Sequence, residues 1–328
     1  MTQFRILARA AVLLALSASA LAQYGVQPIQ WANSPAAASN IAQQTLRPIV
    51  IYVSADSESR ATDLDERQQR ALRHPDVVHI VTTYFVPLRL NRTTQTMPVL
   101  QRLGLPANFG GYLAVVPPET FAPNSAATKL AMIDAMSVAD VGLLTRGLMN
   151  ARRAYGEKLY GDQIRPLFEQ EEIAPADLNK ALLIISNYNI QSADKGVLAI
   201  FERHKDTKNR KLLKDLYDTL GTLSTPNSAQ FLWEQAKAGS KEATDALTRL
   251  NPDTMERVLL PQLRSNDAAD RYLAYKTLAK VLNLKPIKAE KWWENAREKQ
   301  IEDEITKVTE TLSQAAQQWR QGPGQFLR

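Results

Sequence analysis

The chain contains no cysteine in 328 residues. That absence excludes structural disulfides, thiol redox chemistry, cysteine–zinc sites and an acylated-cysteine anchor. Histidine is scarce, with three residues in all, so little material exists for imidazole chemistry. No second apolar run of bilayer-spanning length follows the N-terminus, so the mature chain is expected to have no stable membrane anchor. Positive charge is in small excess, net +6. Two of those charges, Arg5 and Arg9, lie in a leader expected to be removed, and the balance left does not point to nucleic acid. What is present is ordinary for a folded protein. Apolar residues make up 45% and charged residues 23%, enough for a core that is stable without crosslinks. The length suits two domains of about 150 residues each.

Residues 1–22 have the three parts of a secretory signal. Arg5 and Arg9 give a basic start, Ala10 to Leu16 an apolar core, and Ala20-Leu21-Ala22 a small-residue cleavage pattern with Gln23 as the new N-terminus. The apolar core is shorter than the ~20 residues a bilayer span needs, which argues against an uncleaved anchor. The expected location is periplasmic or secreted.

The first domain is expected over residues 23–161. Its central feature is Arg47-Pro48-Ile49-Val50-Ile51-Tyr52-Val53, a continuous β-branched and aromatic run of the kind buried on both faces of a sheet. Before it, Ser34-Pro35 caps and opens a helix through Thr45. After it, Thr62 to Leu72 predicts a helix with acidic first turns, stopped by His74-Pro75. Val77 to Val81 is an apolar segment. Tyr84 to Leu90 is a strand with Leu88 and Leu90 on one face and Arg89 on the other. Thr96 to Leu103 is a short helix ended by Gly104, Tyr112 to Val116 a buried strand, and Ser137 to Tyr155 a closing helix. This alternation is an α/β layered domain with a mixed sheet.

Trp31, Arg47-Pro48-Ile49-Val50-Ile51-Tyr52, Phe85-Val86-Pro87-Leu88-Arg89-Leu90, Leu103-Gly104 and Gly111-Tyr112-Leu113-Ala114-Val115-Val116 together resemble the thioredoxin-like family, in particular its exported branch. The resemblance covers about 125 residues. In redox members, two cysteines follow the central strand; the matching positions here fall near Glu58 and Ala61. A cis-proline faces them in that family, and here the position holds Phe109-Gly110-Gly111-Tyr112, with Pro106 too far upstream. Both halves of the redox site are missing. Disulfide exchange needs a thiolate, for which a carboxylate cannot substitute. The resemblance therefore implies the fold and a groove without the chemistry. The groove residues it implies are Trp31, Asp56, Ser57, Glu58, Gly111 and Tyr112, with no catalytic, cofactor-binding or metal-binding residue.

The loop gives little support to other chemistry. Asp56, Glu58, Asp63, Asp65 and Glu66 lie close in sequence but lack the ligand spacing and glycine of a calcium loop. They fit a polar loop and a helix N-terminus. Ser57 or Ser59 as a nucleophile would need a base, and nothing in the spacing ties His74 or His79 to it. Asn91-Arg92-Thr93 matches a glycosylation acceptor.

From Asp162 onward the β-branched runs disappear. Helices are expected over 177–187, 193–204, 208–223, 227–238, 241–250, 253–263 and 267–282, with short loops between them and pair spacing of about 35 to 40 residues, as in a helical solenoid. Residues 266–279, with Arg271 and Ala274, resemble a HEAT-type repeat helix, and Met255 to Arg264 its partner. The helical-repeat region is placed at 162–287; a compact bundle is the rival. A long C-terminal helix and tail fill 288–328. Ile301, Ile305, Val308 and Leu312 form its apolar stripe. Trp292 and Trp293 are adjacent and face different ways.

The expected function is a non-catalytic scaffold or adaptor of the bacterial envelope that binds a protein or peptide. The alternatives are a non-thiol enzyme built on Asp56, Glu58 or Tyr112, and a structural envelope component.

Overall fold

The structure is a computed structural model that describes residues 28–54, 63–106, 109–122 and 128–321. The expected leader and the loop residues Asp56, Ser57, Glu58 and Ser59 lie outside these. The chain divides into two compact units between Ala151 and Arg152.

In the first unit, α1 (Pro35–Thr45) starts where Ser34 Oγ accepts the Ala37 N–H at 3.2 Å. It stops where Leu46 turns left-handed, φ 53°. Strand β1 (Ile49–Ser54) follows and is buried at every position. Its register pairs Tyr52 with Arg89 of β2 (Val86–Asn91) in parallel, and with Leu113 of β3 (Tyr112–Val116) in antiparallel. Strand β4 (Ala131–Ile133) completes a four-stranded mixed sheet in the order β2-β1-β3-β4. The α/β expectation for the first unit thus stands at the level of a small mixed sheet with helices.

The sheet has two apolar faces. Ile49, Ile51, Val53, Leu88, Tyr112 and Ala114 lie on one, packed with Ala38 and Ala42 of α1 and Leu100 of α4 (Met97–Arg102). The period of two places Val50, Tyr52 and Leu113 on the other.

Helix α2 (Asp63–Leu72) begins with Asp63, Asp65 and Glu66 in its first turn. His74-Pro75 ends it and also starts α3 (Pro75–Tyr84), with His74 Nδ1 accepting the Asp76 N–H at 3.4 Å. Val77, Val78, Ile80 and Val81 are buried on α3, so this apolar run is a helix face. The closing helix is interrupted, because carboxylates cap two starts. Asp134 accepts the Met136 and Ser137 N–H groups at α5 (Ala135–Val138), both at 3.0 Å. Asp140 accepts the Leu143 N–H at 2.9 Å and opens α6 (Val141–Leu159). Strand β4 has three residues, too few for an alternation pattern to reveal it.

The second unit is helical. Helix α6 passes through a π-turn at Tyr160–Ile164 into α7 (Arg165–Phe168). Then come α8 (Pro175–Tyr188), α9 (Asp194–His204), α10 (Arg210–Leu223), α11 (Pro226–Lys237), α12 (Lys241–Leu247) and α13 (Pro252–Val258). Helix α14 (Ala268–Val281), α15 (Glu290–Asn295) and α16 (Glu298–Gln321) complete it.

The expected helix 253–263 gives way after Val258 to a 3₁₀ turn, Leu260–Arg264, which contains Pro261 and so one backbone donor fewer. The expected long helix from 288 is broken at Ala296, which is extended. A new start follows, where Gln300 Oε1 accepts the Arg297 N–H at 3.0 Å, half of a capping box.

Close contacts between helices rest on small residues and internal hydrogen bonds. A Cβ on Gly221 of α10 would lie 2.5 Å from the Ala246 carbonyl oxygen of α12. Ser224 takes the Asn251 N–H on its Oγ and the Thr254 hydroxyl on its carbonyl, both at 2.6 Å. Ser228 Oγ donates to the buried Asp194 carboxylate. Ile305, Val308, Leu312 and Ala316 bury one stripe of α16. Arg264–Glu302 and Arg320 with Asp253 and Glu256 hold its exposed side. Trp293 is buried at 4.8 Å from the Tyr275 ring, while Trp292 is half-exposed beside Lys288.

Candidate functional site

Strands β1 and β2 end together at Ser54 and Asn91, where β3 begins, and the loop expected to matter leaves from this edge. The Ser54 hydroxyl, buried, donates to Asn91 Oδ1 at 2.7 Å. The Gly111 N–H continues the ladder onto Val53 O at 2.7 Å.

Of the six residues expected to form a groove, Trp31, Gly111 and Tyr112 are described; Asp56, Ser57 and Glu58 are outside the described residues. Trp31 and Tyr112 are not brought together. Tyr112 is 0% exposed and lies in the core on the Val53 face. Its hydroxyl donates to Pro106 O at 2.7 Å, and Phe109, 44% exposed, meets its ring edge-on at 5.6 Å. Burial pushes the Tyr112 phenol up to about 12, against a smaller downward pull from Arg92. It is a neutral phenol at physiological pH and has no surface on which to meet a ligand.

Gly111 has φ +82°, and a Cβ there would lie 2.8 Å from the Gln68 side-chain amide. Gln68 is fully buried although it stands on a strongly polar helix. Its amide donates to Ala135 O at 2.7 Å, and its Oε1 accepts the Tyr52 hydroxyl at 3.4 Å. Gly111 is thus the residue that leaves room for the amide linking α2, β1 and α5.

Trp31 instead faces Tyr52, at 5.8 Å between ring centroids and 40° between planes. The Ala32 N–H donates to Pro87 O at 2.8 Å, fixing this segment along the outer edge of β2. The Arg89 guanidinium lies over the Tyr52 ring, 5.7 Å from its centroid, within cation–π range. Gln69 Nε2 reaches the Tyr52 hydroxyl at 3.5 Å. Burial raises the Tyr52 pKa most; Arg89 opposes this, Asp65 adds to the rise, and Gln69 opposes it. Trp31 is half-buried and Arg89 exposed. Tyr52 is itself buried, so the surface side of this cluster consists of the half-buried Trp31 and the exposed Arg89.

Sequence reasoning placed Arg89 on the outward face of its strand but did not join it to Tyr52. That pairing depends on the β1–β2 register, for which a single strand carries no signal. Gln68 gave none either, since a glutamine on a polar helix is expected at the surface.

Among the described residues no group of His, Asp and Glu could hold a metal ion. His74 Nδ1 is committed to its helix start. In the second unit, a recess of about 320 Å³ lies between α8 and α10, lined by Leu182, Leu183, Ser186, Lys211, Asp215 and Asp218 among others. Leu183 is 60% exposed there. Lys211–Asp215 and Lys214–Asp218 pair along α10, and Arg249 joins Asp218 at 3.2 Å, so the acidic rim is already neutralised.

No helix among the described residues is long and apolar enough to cross a membrane. No family model, no curated protein and no solved structure matches the chain.

Proposed function

We propose that this chain is an exported, non-catalytic scaffold of the bacterial envelope that binds a protein or peptide. On this reading its first unit is a thioredoxin-like domain without thiol chemistry. Its second is a HEAT-like stack of helices. The observation that supports the reading is an exposed cation beside aromatic rings in a chain without thiols. Arg89 lies over Tyr52 with Trp31 against the same ring, a set that suits recognition.

The solenoid part is supported by local packing in the second unit. Helix α10 packs on α8, α9, α11 and α12, and α11 on α12 and α13, as in stacked repeats. Ala274, at the small-residue position of the resemblance, is fully buried, and Arg271 donates to Ser265 O at 2.7 Å.

The test is site-specific photocrosslinking of the full chain in the envelope from position 30, where Gln30 is exposed beside Trp31. A discrete, saturable adduct with one partner is expected. Turnover of a small molecule by the purified protein, with no adduct formed, would overturn the reading.

A further inference from the structure

The binding reading leaves the partner's chemistry open, and Arg89 narrows it. Its guanidinium is exposed and lies over the Tyr52 ring at 5.7 Å from the centroid, yet among the described residues no carboxylate pairs with it and no oxygen accepts from its N–H groups. The described ion pairs of the second unit show the contrast: Arg249, Arg257, Arg264 and Arg320 each hold a carboxylate. With no acceptor on them, the guanidinium's N–H donors are available to a ligand. Those donors match a carboxylate in bidentate geometry, which also gives direction. Tyr52 is buried and bonded to Gln68 and Gln69, so the ring beneath Arg89 is fixed before any ligand arrives. Trp31, half-buried, lies against the same Tyr52 ring at 5.8 Å between centroids.

Resting on the binding reading, we infer that Arg89, Tyr52 and Trp31 form a seat for a peptide carboxylate flanked by an aromatic residue. Arg89 takes the carboxylate and Trp31 the neighbouring ring. A side-chain carboxylate and a C-terminal carboxylate offer the same chemistry.

Fluorescence anisotropy of the full chain with three labelled peptides tests this. One is amidated and carries Glu beside Phe. The second has Gln in place of Glu. The third is the Gln peptide with a free C-terminus. The first or third should bind, and the amidated Gln peptide should bind roughly tenfold more weakly or worse, as expected for loss of a charge-assisted pair. Which of the two binds identifies the source of the carboxylate. Arg89→Ala should abolish the discrimination and Arg89→Lys should recover only part of it, while Arg70→Ala on the exposed side of α2 should change nothing. Thermal melts confirm that each variant is folded. Equal binding of all three peptides, unchanged binding by Arg89→Ala, or no binding at all would overturn the seat. A crosslinked partner that persists in Arg89→Ala would refute the seat and leave the scaffold reading standing.

Discussion

Gly111 shows how a single residue is dictated by what lies against it. Its φ of +82° alone disfavours a side chain, and the Gln68 amide occupies the space a Cβ would need. Gly104 also has a positive φ, +60°, but open space around it. Gly104→Ala should therefore cost about 1 kcal/mol from the backbone alone. Gly111→Ala should cost about 2–3 kcal/mol, since it also displaces a bonded, buried amide. Urea denaturation compares the two, and equal losses would mean that Gln68 yields freely.

The buried phenols make a second prediction at this scale. Tyr112 and Tyr275 both have folded pKa values raised to about 12 from 10.0, in each case chiefly by burial. A group with a raised folded pKa gives its full stabilisation below the unfolded value and loses it as pH climbs toward the folded one. Stability should accordingly fall between about pH 10 and about pH 12, by about 2 kcal/mol per phenol. Tyr112→Phe should be less stable at neutral pH, through loss of the hydrogen bond to Pro106, but should show a shallower alkaline decline. An unchanged slope would count against burial as the cause.

Among the elements, Gly221 on α10 sets how near α12 can come. Alanine favours a helix over glycine by about 1 kcal/mol. Here the added methyl would meet the Ala246 backbone carbonyl at 2.5 Å, and overpacking costs about 1–3 kcal/mol. The steric term should win, because backbone cannot rotate aside as a side chain can. Gly221→Ala should lower the melting temperature, and a rise would show that α12 shifts without strain.

Legibility in the sequence also divides by element. Strand β1 was plain because five β-branched or aromatic residues run together between Pro48 and Ser54. Helix α3 was obscured by similar chemistry: Val77, Val78, Ile80 and Val81 favour strands as residues, and the helix is set by Pro75 and the His74 cap. The break at Ala296 was hidden because good helix formers continue after it and a capping bond makes the interruption; at Asp140 the apolar stripe of Val138, Val141 and Leu144 ran across a break made by a carboxylate cap. Of the candidate site, Trp31 was legible and its partners were not. The end of β1 follows from the apolar run, whereas the Trp31–Tyr52–Arg89 grouping depends on strand register and a bridge at Ala32.

For the whole molecule, the prediction concerns processing. If the export proposal holds, N-terminal sequencing of protein recovered from the envelope should begin at Gln23, the residue after the small-residue pattern. A start at Met1 would remove the export reading. Protein produced from Gln23 onward in a reducing cytosol should melt at the same temperature with or without dithiothreitol, since no disulfide can form.

The outer side of β2 carries a last consequence. Pro87 contributes no amide hydrogen there, and the backbone at Ala32 already occupies the Pro87 carbonyl. The opposite margin, β4, offers three residues, a poor template for an incoming strand. Among the described residues, strand addition at either margin of this sheet thus finds no ready template. Concentrated samples should stay thioflavin-negative until the first unit melts.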